Sequence, residues 1–437
     1  MYCEFVVLGG GWSGILLSLR IKKMFKNSSV CVIEGSNDLG GLMRTKIIDG
    51  FVFDIGGSHI IFSKNNKVLS EILSVLGNNY VRHKRRTFIY LDGKFIPYPF
   101  ENGIYALEPM ERSEIGISFI EAYMYLHNNP GWKPKSFDEW ITGVFGKEIA
   151  RIYLKPYNEK IWKRPLSEID ADWVYTPGRL PIPDWRDIIK SVAGIPTEGY
   201  REQALFYYPL RGGIYSLYKQ FLDLAIRNGV KVQTGIYVRK IYKRNDRWVI
   251  NDKIYARRIY NTIPLREIIK ALEPPEYIIK YAEKLDYNQV IVVGIALNKK
   301  APNMHWIYVP DKNIIFHRYA WISNYSPYNA PKGKSALIAE ITLPPNSKID
   351  KEEILGRTIK GLEELDIINS EKEILFSKIW VHKYGYPIYL KNHSRYRREI
   401  LNYLKQQNIV SIGRWGSWHY WNMDKIFDEI NRLVLTD

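Results

Sequence analysis

Apolar positions come in short runs along this chain, broken by glycine, proline and charge. The first run, Glu4 to Leu8, has strand length and ends on Gly9-Gly10-Gly11-Trp12-Ser13-Gly14. Ile15 to Ile21 follows with helical spacing, and Val30 to Ile33 is a second strand that ends on Glu34. Arg112 to His127, Phe137 to Val144 and Lys147 to Asn158 read as helices, and Trp- and Pro-rich sequence then runs to Gly199. Later segments, Val290 to Leu297, Trp306 to Val309 and Ala336 to Ile341, are short strands bounded by Pro, Asn and Gly, a pattern that suits an antiparallel sheet. Asn408 to Arg414 reads as a last strand and Asn422 to Leu435 as a last helix. No internal repeat and no low-complexity segment interrupts this order.

The pattern predicts an α/β protein in three parts. A Rossmann-like dinucleotide-binding domain is assembled from residues 1–75, 205–270 and 405–437. A helical insertion covers 110–204, and a sheet-rich substrate domain is built from 76–109 and 271–404. A sheet facing the dinucleotide would form a substrate floor, because ligand sites favour domain boundaries.

Composition narrows the function. In 437 residues, 46% are hydrophobic and 25% charged, which excludes intrinsic disorder and leaves enough apolar material for sizeable cores. The 2 cysteines, Cys3 and Cys31, make neither a disulfide scaffold nor a metal cluster, and their apolar surroundings predict buried free thiols. No metal site is expected. No stretch approaches the roughly 18–20 apolar residues of a membrane helix, and no targeting signal is read at the N-terminus. A soluble, cytoplasmic protein without stable membrane insertion is the expectation. The net charge of +17 admits three partners: nucleic acid, an anionic membrane face or a small polyanion. No helix-turn-helix, zinc or base-stacking signature supports nucleic acid. The densest cluster, Arg82-His83-Lys84-Arg85-Arg86, is short, and the charge excess reads mainly as solvated surface that steers anionic ligands.

The first motif is a strand–G-x-G-x-x-G–helix–strand–acid unit. Gly9 permits the tight turn, Gly11 lets backbone approach a pyrophosphate, and Gly14 lets the helix pack on the strand. Trp12 and Ser13 lie in the same loop, and Glu34, about 20 residues past Gly14, would take the ribose hydroxyls. The chain continues Gly40-Gly41-Leu42-Met43-Arg44 and then Asp54-Ile55-Gly56-Gly57-Ser58-His59. This ordered series resembles the FAD fingerprint of the amine oxidase and protoporphyrinogen oxidase superfamily, so the resemblance implies FAD. Gly41, Leu42, Arg44, Gly57 and Ser58 would follow the flavin and pyrophosphate. Val238 resembles the valine that meets the adenine. Gly413, Arg414, Asn422 and Met423 resemble the closing segment, where the last helix aims its positive end at the cofactor.

Within that superfamily the chain is most similar to UDP-galactopyranose mutase. The resemblance is carried by Gly57-Ser58-His59-Ile60, Tyr157-Asn158-Glu159-Lys160-Ile161-Trp162, Phe316-His317-Arg318, Tyr386-Pro387, and Gly413-Arg414 with Tyr420 and Met423-Asp424. It implies that reduced FAD attacks the anomeric carbon of a UDP-sugar and that the sugar recloses with a different ring size, without net redox change. His59, Arg318 and Arg414 would serve the reaction, and Trp162, Arg179, Arg318, Tyr386 and Tyr420 the substrate. NAD(P)H or another reductant would maintain the flavin, and a homodimer is compatible with the pattern. Two positions depart from the family. Its second loop arginine is Pro183 here, leaving Arg179 or Arg186 to substitute, and its second histidine is Phe62. The alternative is an FAD-dependent oxidoreductase of the amine oxidase or protoporphyrinogen oxidase type, with Trp306, Trp321 and Trp418 lining an apolar cavity.

Overall fold

The computed structural model describes residues 1–175, 184–199 and 204–435. The strand Tyr2–Leu8 lies at the heart of a parallel sheet, between Val30–Ile33 on one side and Ile254–Asn261 on the other. Lys231–Gln233 extends it beyond Val30–Ile33, and Val410–Ser411 pairs in parallel with Ile254–Asn261. An antiparallel hairpin, Ile241–Arg244 with Arg247–Ile250, closes one edge.

Both faces of this sheet are covered, which explains why its strands are continuously apolar rather than alternating. Phe5, Val7, Val30 and Val32 pack with Ile15, Tyr218, Phe221, Ile426 and Phe427 of the helices on one face. Val6, Leu8 and Ile33 pack with Leu265, Ile268, Ile278 and Ile400 on the other. Cys3 and Cys31 point into that second cluster from adjacent strands. The expected free thiols are instead joined in a buried disulfide, with their Cα atoms 6.1 Å apart.

The second sheet runs Ile374–Ile388, Asp286–Leu297, Ser335–Leu343, Arg318–Ala320, Trp306–Tyr308, Thr87–Leu91, Lys94–Pro97. It is antiparallel except where Trp306–Tyr308 meets Thr87–Leu91 in parallel. Alternation sorts its side chains. Ile291, Val293, Leu337 and Ala339 pack beneath the helix Lys351–Glu364, whereas Val292, Ala336 and Ile338 face the first domain.

The helical stretch is more continuous than its sequence pattern. Pro109–Asn128 begins at a capping box in which the Glu108 and Glu111 side chains each accept from the other's backbone N–H. Phe137–Ile149 bends at Gly146, then runs through a π-helical turn, Ala150–Leu154, into Lys155–Trp162. The last helix is Met423–Arg432, with Asn422 at its N-cap, and the expected last strand shortens to Val410–Ser411. Among the described residues no helix is long and apolar enough to cross a membrane.

Candidate active site

A cavity of about 740 Å³ runs from the glycine loop, along the end of the parallel sheet, to the floor of the second sheet. At its first end the backbone sets the shape. A Cβ on Gly14 would stand 1.8 Å from the Gly9 carbonyl oxygen, so only glycine lets the helix Trp12–Met24 meet the strand there. Gly11 opens on the cleft, the nearest atom to a Cβ there being Gly41 Cα at 4.0 Å. No side chain caps this helix, so its first N–H groups are left for an anion. The Glu34 carboxylate is oriented by two backbone donors, Gly10 N–H at 2.8 Å and Ser36 N–H at 2.7 Å. Arg44 Nε donates to the Gly41 carbonyl at 2.9 Å and braces the second glycine loop. Asp54, fully buried, accepts from Thr45, Tyr208 and the Ile214 N–H, and burial pushes its carboxyl up to about 6.

The other end is assembled from side chains of distant segments. Arg318 and Glu340 are register partners on neighbouring strands, and Tyr308 is the register partner of Arg318 on the next. Glu340 belongs to the alternation of Ala336 and Ile338, so it projects to the cleft face. Its side chain is 1% exposed and accepts Arg318 Nη2 at 2.7 Å on both oxygens and Nε at 3.1 Å. It also accepts the Ser58 N–H at 2.9 Å and the Tyr386 hydroxyl at 3.2 Å. The Tyr386 and Tyr420 rings stack at 5.5 Å, and the Arg414 guanidinium carbon lies 4.2 Å from the Tyr420 ring centre. Arg414 reaches only carbonyl oxygens, of Gly385 at 3.1 Å and Trp421 at 3.3 Å, and has no carboxylate partner among the described residues.

Trp162 stands edge-on to both tyrosines, at 6.0 and 5.9 Å. Its helix is fixed on the sheet by Asn288, which donates to the Ile161 and Trp162 carbonyls, and by Lys160, whose Nζ donates to Val309 and Asp311 carbonyls at 2.8 and 2.5 Å. His59 Nδ1 meets the Gly57 carbonyl at 2.8 Å, which orients the ring. Burial lowers its pKa, so the imidazole is neutral at pH 7.

Gly9, Gly11, Trp12, Ser13, Glu34, Gly41, Leu42, Arg44, Gly57, Ser58, His59 and Val238 border this cavity. So do Trp162, Arg318, Tyr386, Arg414, Tyr420, Asn422 and Met423. Gly14 and Gly413 do not border it but permit close packing, Gly413 against Ser13. Three expectations change. Arg318 is not a free cation for substrate but is ion-paired to the buried Glu340, its own side chain staying 21% exposed at the cavity wall. Arg186 lies over the Trp185 ring at 4.5 Å and does not border the cavity, while Arg179 and Pro183 fall outside the described residues. Of Trp306, Trp321 and Trp418 only Trp306 borders it; the other two are packed in cores.

Glu340 escaped the sequence reading, although an acid inside the apolar run Ala336 to Ile341 was a signal. Tyr157, Tyr308, Tyr98 and Arg85 add an aromatic arm with a cation, Arg85 lying 5.1 Å over the Tyr98 ring. Arg85 belongs to the basic cluster that reads as surface in the sequence, and nothing local announces its place here. The open glycine cradle, the uncapped helix start and the oriented Glu34 fit a dinucleotide such as FAD.

Comparison with known proteins agrees with this geometry. Residues 7–76 match the NAD(P)-binding Rossmann-like domain. UDP-galactopyranose mutase of Mycoplasma pneumoniae is 30% identical over 213 residues, 45% of this chain and 50% of that protein. The chain thus spans about half the length of this curated relative. An uncharacterized protein in the nifH2 3' region of Methanothermococcus thermolithotrophicus is 40% identical over 80 residues, 18% of this chain and 71% of that protein, so the two belong to one family. A crystal structure of reduced UDP-galactopyranose mutase superposes with a TM-score of 0.88 at 23% identity, covering 98% of this chain and 94% of that one. The chain therefore carries a Rossmann-like dinucleotide-binding domain in the fold that UDP-galactopyranose mutase shares with FAD enzymes of the protoporphyrinogen oxidase and amine oxidase type.

Proposed function

We propose that this protein is an FAD-dependent enzyme that interconverts pyranose and furanose forms of a UDP-sugar without net redox change. The observation that carries the reading is Arg414, a cation without a carboxylate partner among the described residues, set against the Tyr386–Tyr420 stack at the sheet end of a dinucleotide cleft. A diphosphate supplies the missing negative charge, and the guanidinium fork of Arg414 suits its oxygens. The likeness to UDP-galactopyranose mutase supports the same substrate class.

FAD, when bound and reduced, supplies the nucleophile, so the chain needs none of its own. Gly11 and the start of the helix Trp12–Met24 hold the pyrophosphate, and Glu34 the ribose. The Arg318–Glu340 pair contributes no net charge. It fixes the Ser58 N–H and the Tyr386 hydroxyl in place, while Trp162 walls off water from the sugar. His59 stays neutral and keeps its orientation through Gly57, leaving Nε2 to hold or accept a proton near the flavin. A cellular reductant such as NAD(P)H and a cytoplasmic setting complete the proposal.

The test is turnover of UDP-galactofuranose by the purified holoprotein. Conversion to the pyranose form after dithionite reduction, and none in the oxidised form, is the expected outcome. No turnover in either state, with bleaching of oxidised flavin by an amine or a porphyrinogen, would replace the mutase reading with the oxidoreductase one.

A further inference from the structure

Residues 382–386, in the strand Ile374–Ile388, border the cleft and bond in succession to its different walls. His382 Nε2 meets the Ile55 carbonyl at 2.6 Å. Lys383 Nζ and the Tyr384 hydroxyl both donate to Glu267 Oε1, at 2.7 and 2.5 Å. The Gly385 carbonyl accepts from Arg414, and the Tyr386 hydroxyl donates to Glu340. Three of these five bonds belong to the dinucleotide loops or to the site described above, and the other two end on Glu267. Glu267 belongs to neither.

Glu267 lies in the first turn of the helix Leu265–Leu272, just beyond Thr262-Ile263-Pro264, which also border the cleft. Its second oxygen accepts the Tyr237 hydroxyl at 2.6 Å. Tyr237 packs on Gly35, beside Glu34 and Val238 on the adenosine side. One carboxylate therefore ties the adenosine wall of the first domain to a strand of the second sheet. Burial alone would push this carboxyl up, but the Lys383, Tyr237 and Tyr384 donors hold it down at about 2. The tie sits at the rim: the Lys383 side chain is 57% exposed and Tyr237 is 50% exposed. The Lys383 and Tyr237 bonds can part into solvent, while the Tyr384 ring stays packed on Tyr287 and Trp415 and only its hydroxyl bond is released.

We propose that Glu267 is a clasp on the dinucleotide cleft, whose bonds to Tyr237, Lys383 and Tyr384 part when FAD enters or leaves. The proposal rests on the FAD reading. Its consequence is kinetic. A closed clasp slows release and uptake alike, whereas damage to the binding surface speeds release and leaves uptake unchanged or slower.

The experiment compares wild-type protein with Glu267→Ala, following flavin fluorescence as FAD is released on dilution and as apoprotein takes FAD up. Release faster by about tenfold or more, with uptake also faster, is expected, since losing about 1.4 kcal/mol of bonding corresponds to a factor of ten. Release at the wild-type rate, or faster release with unchanged or slower uptake, overturns the clasp. If Glu267→Ala does not fold by circular dichroism, Tyr237→Phe and Lys383→Ala at the exposed rim carry the same test, each with a smaller acceleration of both rates. A wild-type protein that neither carries nor takes up FAD overturns the FAD reading, and the clasp with it. A wild-type protein that holds FAD while the variants behave like it overturns the clasp alone.

Discussion

At the dinucleotide end of the cleft the shape is made by backbone: Gly9 against Gly14, an uncapped helix start, and a carboxylate held by two N–H groups. At the sheet end it is made by side chains: Arg318, Glu340, Tyr386, Tyr420, Arg414 and Trp162 arrive from separate elements and hold one another. The first end tolerates almost no added atom and needs few specific side chains. The second depends on buried charge and on stacking, where removing one partner strands another. Substitutions at the two ends should therefore fail in different ways.

The largest effect is expected at Glu340. Glu340→Ala would leave the partly buried Arg318 guanidinium without its partner, costing about 3 kcal/mol of stability, the low end for a broken buried pair, and Glu340→Gln would cost less. Chemical denaturation measures both, and equal stability of Glu340→Ala and wild type would contradict the pair's role. Gly14→Val places a side chain against the Gly9 carbonyl and should cost about 3 kcal/mol or more, with loss of FAD uptake. Gly11→Ala meets no protein atom closely, so it should weaken FAD binding while the melting temperature of the apoprotein stays unchanged. If instead Gly14→Val bound FAD normally, the backbone account of this end would be wrong.

The smallest effect concerns pH. His59 has a folded pKa depressed below its ordinary value of 6.5, mainly by burial, so the unfolded chain binds more protons in the window beneath 6.5. Its contribution to stability is present above that value and is lost as pH falls through the folded pKa. His59→Asn should flatten the fall in stability below pH 6.5. An unchanged acid slope in thermal melts would show that other buried histidines, such as His382 with its pKa lowered to about 4, dominate.

The same contrast decides what the sequence made legible. Glycine spacing, the acid after the second strand and the continuous apolar strands all act locally, so Gly9, Gly11, Gly14, Glu34 and the parallel sheet could be read from neighbouring residues. Glu340 and Arg318 meet through strand register, which no local pattern announces, so the sequence shows Arg318 as a reaction and substrate residue and not as half of an ion pair. Glu267 sits three residues beyond Pro264 with no motif around it, and its partners lie 30 and more than 110 positions away. Cys3 and Cys31 each look like a buried free thiol until two strands 28 residues apart are placed side by side.

The central claim is that the side-chain end binds a nucleotide diphosphate beside the flavin through Arg414. Titrating UDP into the holoprotein while recording the flavin absorbance tests it most directly. A saturable spectral shift in wild type is predicted, with Kd raised about tenfold or more in Arg414→Ala at near-normal FAD content, the scale of losing hydrogen bonds to a charged group. No saturable shift in wild type, or the same Kd in both proteins, would contradict it.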